Sequence, residues 1–187
     1  MRPLFIPSPA INRVDAAIIY ATMAHSEQMD KGGQPYIFHP LRVMQFLYPY
    51  RFSVCESDNL LISAVLHDVI EDCEVPASDI CAIWGPRVSK TVQDLSHGSG
   101  KSRMLYLQNI FQGEHCLEAN ISRLVKIADM IDNSSPGRMH FLKSEVRERL
   151  MNKYRADLKQ IQHYYKMSTC PHPTEVEILQ QLVKQLK

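Results

Sequence analysis

The stretch Leu66-His67-Asp68-Val69-Ile70-Glu71-Asp72 sets one imidazole and three carboxylates within two helical turns, behind the apolar run Leu60, Leu61, Ile62, Ala64 and Val65. Asp68 precedes Glu71 and Asp72 by three and four residues, so on one continuous helix all three acids would share a side. Acids crowded beside a buried stripe repel one another unless positive charge sits among them, and a divalent cation supplies it most directly. A His-Asp pair alone recurs by chance, so this chemistry needs further ligands elsewhere. Two candidates stand out. His39 lies just before Pro40, which fits the first turn of a helix and leaves the imidazole free to point into a cleft. Asp129 emerges beside Ala128 on the edge of the apolar face Leu117, Ile121, Leu124, Ala128 and Ile131, an unfavourable place for a carboxylate without a partner. The order His39, His67-Asp68, Asp129 spreads the candidate ligands over three helices, as ligands converging inside a bundle must be. Nitrogen and oxygen donors without cysteine suit Mn²⁺ or Fe²⁺, with Zn²⁺ also compatible.

The elements that must position these groups read as helices throughout. Ile11, Val14, Ile18, Ala21 and His25 share one face of a helix expected over Ile11 to Met29, which makes His25 a core histidine rather than a ligand. Gly32-Gly33 breaks that helix, and a short one follows from Pro40 to Tyr48. A third, capped by Ser57 or Asp58, should carry the acidic motif through Glu71. Asp79 to Trp84 and Pro86 to Leu95 form two more, separated by Gly85. His97 to Ser102 reads as a solvated connector; its Lys101, with Arg103, could also face a phosphate, although the GxxxxGK[ST] spacing is absent. A periodic helix is expected from about Glu114 to the Ser134-Ser135-Pro136-Gly137 stop, then a charged amphipathic one from Arg138 to about Tyr165. The last, Thr174 to Lys187, opens with a T-x-x-E capping box from Thr174 to Glu177. No convincing strand is present. The expected fold is all-α, a helical bundle in a single domain over 1–187 with its core in about 11–155.

Composition narrows the function classes. With 21 basic and 20 acidic residues the net charge is +1, and the bases are scattered, so neither a nucleic-acid surface nor a membrane surface is expected. Met1 to Pro9 carries prolines where a signal peptide would need an apolar run, and no apolar stretch is long enough to span a bilayer. The five cysteines are odd in number and form no CxxC pair, which reads as reduced thiols in a cytoplasmic protein. The sequence is compatible with a homodimer.

With these residues in place, the chain resembles the HD superfamily of metal-dependent phosphohydrolases, and within it the RelA/SpoT hydrolase domain. Ala24-His25-Ser26-Glu27-Gln28 followed by Gln34-Pro35-Tyr36-Ile37-Phe38-His39-Pro40 is similar to the family's AHxGQ…EPYIxHP run. Leu66 to Asp72 is similar to LLHDVVEDT, and Leu124 to Asn133 to LVKLADRLHN. The three motifs stay in register from about Ile11 to Tyr154, and no synthetase domain follows, as in a free-standing small alarmone hydrolase. The resemblance implies Mn²⁺ held by His39, His67, Asp68 and Asp129, and a catalytic pair, Glu71 and Asp72, that orients or deprotonates the attacking water. It implies nucleotide and phosphate contacts at Lys31 and Asn133, to which Lys101, Arg103 and Tyr154 are added as candidate substrate-binding residues. The implied reaction removes pyrophosphate from the ribose 3′ position of (p)ppGpp.

The chain also departs from that pattern. Asp30 stands where the family usually has an arginine packed on guanine, Met130 where a basic residue is usual, and Asp132 where histidine is common. Ser96-His97 replaces the usual Thr-Lys. An acid cannot supply the cation–π contact that arginine makes with a base. Alternatives therefore stay open: (p)ppApp, NADPH or a nucleoside monophosphate as substrate, or a nucleotide-binding module without turnover. Retention of both Glu71 and Asp72 argues for turnover, since a pure binder has no use for two adjacent acids.

Overall fold

Asn12 starts the first helix, α1 (Arg13–Ala24), by accepting the Val14 N–H at 2.8 Å on its side-chain oxygen. The computed structural model describes residues 11–54, 56–98, 100, 102–112, 120–168 and 171–187. α1 stops well short of Met29, because the chain folds into tight turns: Gln28 N–H bonds the His25 carbonyl, and Met29 pairs with Pro35 in an isolated bridge. The Asp30 side chain closes the next turn by accepting from Gly32 N at 2.8 Å and Gln34 N at 3.0 Å. α2 (Phe38–Leu47) opens two residues before Pro40, whose missing N–H lies among those a first turn leaves unpaired anyway. His39 thus sits inside its first turn. A 3₁₀ turn, Tyr48–Ser53, follows.

The expected third helix is two. α3 (Ser57–Leu66) ends at the motif, and α4 (Val69–Cys73) begins after a break at His67-Asp68, where Asp68 adopts φ −103°, ψ −4°. Neighbouring side chains on an unbroken helix diverge by about 100°. The break lets His67 and Asp68 approach one point.

α5 (Ala77–Trp84) and α6 (Pro86–Leu95) flank Gly85, whose φ of +90° is costly for a residue with a side chain. α7 (Arg103–Phe111) was not expected; its apolar Tyr106, Leu107, Ile110 and Phe111 are all buried. α8 (Ile121–Asn133) is capped by Asn120, and the expected start near Glu114, with Leu117, falls outside the described residues. Ser134 ends it. Arg138 belongs to a separate short turn of helix, α9 (Pro136–Met139), and the charged helix α10 starts only at Ser144 (Ser144–Met167). In α11 (Pro173–Leu186) the cap is His172, whose Nδ1 accepts from Thr174 N; the expected Thr174–Glu177 box does not form. Pro173 takes the first helical position and moves Thr174 inside the helix, while Glu177 accepts from the Tyr50 hydroxyl instead.

Among the described residues no strand is present and the architecture is all-α. α3 runs through its middle. Every residue from Asn59 to Leu66 is buried, and the helix packs on α1, α2, α6 and α8. One apolar cluster joins α1, α3, α5 and α6 through Ala17, Ile62, Val65, Leu66, Trp84 and Val88. The other joins α2, α7, α8, α10 and α11 to α3 through Leu47, Leu60, Phe111, Leu124, Ile127 and Ile178. Met130, in place of the basic residue usual in the resembling family, is completely buried in this second cluster.

A polar lock fixes the start of α8, the helix that carries Asp129. Glu175 of α11 is fully buried and accepts from Asn120 N at 2.7 Å and from the Tyr165 hydroxyl at 2.7 Å, with Arg123 Nη1 3.6 Å away. Removing one member of a buried charged network leaves the rest uncompensated, at a cost of about 3–5 kcal/mol. Glu175→Ala is therefore expected to lower stability by that amount, read as a lower midpoint of urea unfolding with an unchanged slope.

Candidate metal centre

His67 sits at the end of α3 with its Nδ1 2.8 Å from the Ala64 carbonyl. A carbonyl can only accept, so Nδ1 carries a hydrogen and Nε2 is the nitrogen whose lone pair can take up positive charge, a proton or a cation. From the first turn of α2, His39 brings a second Nε2 to the same place, and α8 brings Asp129. One donor atom from each of His39, His67 and Asp129 lies within 4.8 Å of the others, and all three residues are buried. Asp129 Oδ1 is 3.2 Å from His39 Nε2 and 3.8 Å from His67 Nε2. Asp68 Oδ2 is 2.9 Å from His67 Nε2 and 3.6 Å from His39 Nε2, and it accepts from the Tyr36 hydroxyl at 2.6 Å.

Both Nε2 atoms are buried with no hydrogen-bond partner; the carboxylate oxygens are near but not aligned for one. Such orphaned polar atoms are costly inside a protein. Two imidazole nitrogens and the Asp129 oxygen about a common point, with the Asp68 carboxylate 2.9 Å from one of those nitrogens, suit a divalent cation of borderline hardness, so the residues present fit the metal that the motif implies.

The electrostatics agree. Burial alone would raise the Asp129 carboxyl, but the Lys126 ammonium, 2.7 Å away, and the two imidazoles hold it well below the usual carboxylate range. Burial is likewise overcome at Asp68, which His67 and His39 keep low. His67 moves the other way: burial would lower it, yet Asp68 and Asp129 raise it well above an ordinary histidine. The acids stay ionised and the imidazole is drawn toward its charged form. The position favours a cation.

Asp68 and Asp129 bring this point to the edge of a cavity of about 370 Å³, which both of them line. Asp68 caps α4, with Asp72 N–H bonded to its carbonyl at 2.8 Å, and all three acids of the motif line the cavity, Asp68 beside the imidazoles and Glu71 and Asp72 from α4. Glu71 accepts from His97 N at 2.7 Å, and burial raises its carboxyl above the usual range. Asp72 accepts from Gln28 Nε2 at 3.2 Å.

Five cationic side chains, Lys31, Arg103, Lys126, Arg138 and Lys153, form part of the wall of the same cavity. Lys31 is exposed, whereas Arg103 is held by Asp157 at 2.7 Å. Asn133 donates to Asp129 and accepts from Arg138 Nη1 at 2.8 Å. Tyr154 is buried in the same wall, its hydroxyl pushed up to about 12 by burial first and Asp129 second. Lys101 lies outside the described residues. His25 is buried and bonds Gln28 at 2.6 Å, outside the ligand cluster.

The sequence reading missed Tyr36, Gln28, Lys126, Arg138 and Lys153. Tyr36 had a usable signal, three residues before His39 and so within a turn of it. Arg138 and Lys153 had none, because α9 and α10 reach the cavity only through long-range packing. Asp30, noted as a departure, is tied to its own loop and lies 3.6 Å from Arg138 Nη2.

Comparison with known proteins agrees with this geometry. A family profile described as an HD domain matches residues 17–110, half of the chain. The chain is 35% identical over 92 residues to a Vibrio cholerae guanosine-3′,5′-bis(diphosphate) 3′-pyrophosphohydrolase, which covers 49% of this chain and 12% of that protein. To the Drosophila melanogaster enzyme of the same name, MESH1, it is 30% identical over 118 residues, 61% of this chain and 63% of that one. The chain thus spans only about an eighth of the first of these relatives. A solved structure of a metazoan ortholog of SpoT, described as hydrolysing ppGpp, superposes with a TM-score of 0.67 at 19% identity, over 97% of each chain, and so shares the fold. Among the described residues no helix is long and apolar enough to cross a membrane.

Proposed function

We propose, from the premise that this chain belongs to the HD domain family, that it is a metal-dependent guanosine-3′,5′-bis(diphosphate) 3′-pyrophosphohydrolase using Mn²⁺. One observation carries the reading: two buried, unpartnered imidazole nitrogens meet the Asp129 carboxylate, with Asp68 beside them, at the edge of a cavity that five cationic side chains also line. A substrate with clustered negative charge and a reacting phosphorus fits such a cavity. The named relatives act on that class.

His39, His67, Asp68 and Asp129 would hold the cation. When bound, it supplies positive charge against the phosphoryl oxygens and makes nearby water more acidic. The protein's own groups do the rest. Glu71, fixed by the His97 N–H, and Asp72, fixed by Gln28, face the cavity as paired carboxylates that orient a water and take its proton. Lys31, Arg103, Lys153 and Arg138 offset phosphate charge and hold the reacting phosphorus in line with that water. Asn133 steadies Asp129, and Tyr154 closes the wall beside it. The water oxygen bonds to phosphorus, the bond to the ribose 3′ oxygen breaks, and that oxygen takes a proton; the products are GDP or GTP and pyrophosphate.

A second reading, with (p)ppApp or NADPH as the better substrate, is favoured by one observation. Asp30 occupies the place of a base-packing arginine and is fully engaged by Gly32, Gln34 and Arg138. The test is to incubate metal-stripped protein with ppGpp, pppApp, NADPH and deoxynucleoside monophosphates, with and without Mn²⁺, and to separate the products. GDP plus pyrophosphate only with metal is expected. Orthophosphate from NADPH or a monophosphate would replace the substrate assignment, and ppGpp binding without product would leave a regulatory module.

A further inference from the structure

We infer that Asp132 is a positioning residue for the cation site: it holds the His39 imidazole in its Nδ1–H form and so aims the bare Nε2 at the point shared with His67 and Asp129. The inference rests on reading that point as a cation site, and it adds a residue that is not itself a ligand.

His39 Nδ1 has two close polar neighbours, Asp132 Oδ2 at 2.7 Å and Arg138 Nη1 at 2.8 Å. They ask opposite things of the ring. The carboxylate needs an N–H to accept, whereas the guanidinium would need a lone pair. Arg138 Nη1 carries two hydrogens, and two oxygens already lie in reach: Asp132 Oδ2 at 2.9 Å and Asn133 Oδ1 at 2.8 Å. Both hydrogens are placed without the ring. Asp132 Oδ2 is then the acceptor facing Nδ1, the ring donates, and Nε2 is left bare and buried. His67 reaches the same form by another route, through the Ala64 carbonyl.

The Asp132 carboxylate is itself immobilised. Arg42 grips both of its oxygens, Nε to Oδ1 at 2.7 Å and Nη2 to Oδ2 at 3.1 Å, and Arg138 Nη1 donates to Oδ2 as well. With His39, four donors surround the carboxylate, three at Oδ2 and one at Oδ1. A fixed anion behind a ligating imidazole both orients the ring and strengthens it as a donor. Asp132 lies three residues after Asp129 on α8, so one helical turn offers a cation ligand and the support of a second ligand together.

The test measures Mn²⁺ affinity of the metal-stripped full chain by titration calorimetry, without nucleotide, alongside the unfolding midpoint of the metal-free protein. Asp132→Asn keeps the size and removes the charge; its Mn²⁺ dissociation constant is expected to rise about 10–100-fold. Arg42→Gln loosens the carboxylate while leaving every donor to the cation in place, and a smaller loss in the same direction is expected. Folded Asp132→Asn with wild-type Mn²⁺ affinity overturns the inference. Should Asp132→Asn fail to fold, Arg42→Gln decides it, and unchanged affinity there is equally fatal. A wild-type chain that binds no divalent cation overturns the cation reading and this inference with it. A wrong nucleotide assignment leaves the affinity comparison untouched.

Discussion

His67→Ala is expected to abolish hydrolysis of ppGpp, by more than about 10³-fold, and to erase the response of the protein to Mn²⁺. The comparison is with single positioned donors, whose removal costs ~10²–10³-fold; a group that holds the cation removes more than one such interaction at once. His67 is also the cleanest ligand to delete. Its Nδ1 bonds only a backbone carbonyl, and Asp68, 2.9 Å from its Nε2, keeps the Tyr36 hydroxyl as a donor when the imidazole is gone. Asp129 is different. It is paired with buried Lys126 and bonded by Asn133, so its loss leaves a buried ammonium uncompensated and confounds activity with stability. The second readout separates binding from chemistry. A cation bound only to the folded state stabilises it by about 2.7 kcal/mol at a hundred times its dissociation constant. For a chain of this size that is a rise of roughly 5–10 °C in melting temperature. Wild type should show this rise and His67→Ala should not. A variant that still melts higher with Mn²⁺ would place the cation elsewhere.

Glu71→Gln is expected to do the opposite: to keep the cation and lose the chemistry. The glutamine oxygen can still accept from the His97 N–H, so the loop after α6 keeps its anchor and the cavity its shape. What disappears is a base. The expected loss in kcat is ~10²–10⁴-fold, the usual range for general-base assistance, with the Mn²⁺-induced rise in melting temperature within a degree or two of wild type. Equal loss of metal response and turnover would instead make Glu71 a ligand, and unchanged kcat would assign the proton to Asp72 alone. Asp72→Asn is the natural companion, since Gln28 can keep its bond to the remaining oxygen.

Some features were readable because they are local. Gly85 and Pro86 divide α5 from α6 where the backbone rules require it, one by its positive φ and the other at a helix start. The last motif, Leu124 to Asn133, lies on α8 because it follows an apolar stripe of helical period. Other features were misread for equally local reasons. Thr174 and Glu177 carry the right spacing for a capping box, but Pro173 claims the first helical position and His172 becomes the cap. α7 escaped notice because its apolar residues are mixed with polar ones and its start, after a glycine-containing loop, looks like solvent-facing chain. The continuous acidic helix was the most consequential misreading. Spacing puts Asp68, Glu71 and Asp72 on one side, and all three do line one cavity; what spacing does not show is that α3 ends at Leu66 and a new helix, capped by Asp68, carries the other two.

By itself the order of residues determined the all-α class and the identity of the nitrogen and oxygen donors at the edges of apolar stripes, because helical periodicity is a property of neighbours three and four apart. Only the packing of α2, α3 and α8 decided that His39, His67 and Asp129 come within 4.8 Å of one another. Only packing, too, set Arg42 and Arg138 around Asp132 and turned Arg103, Lys126 and Lys153 into the wall of one cavity. The reason is physical. Contacts across some 30 to 100 residues form when buried apolar surfaces fit together, and that fit depends on the whole core rather than on any short stretch of sequence.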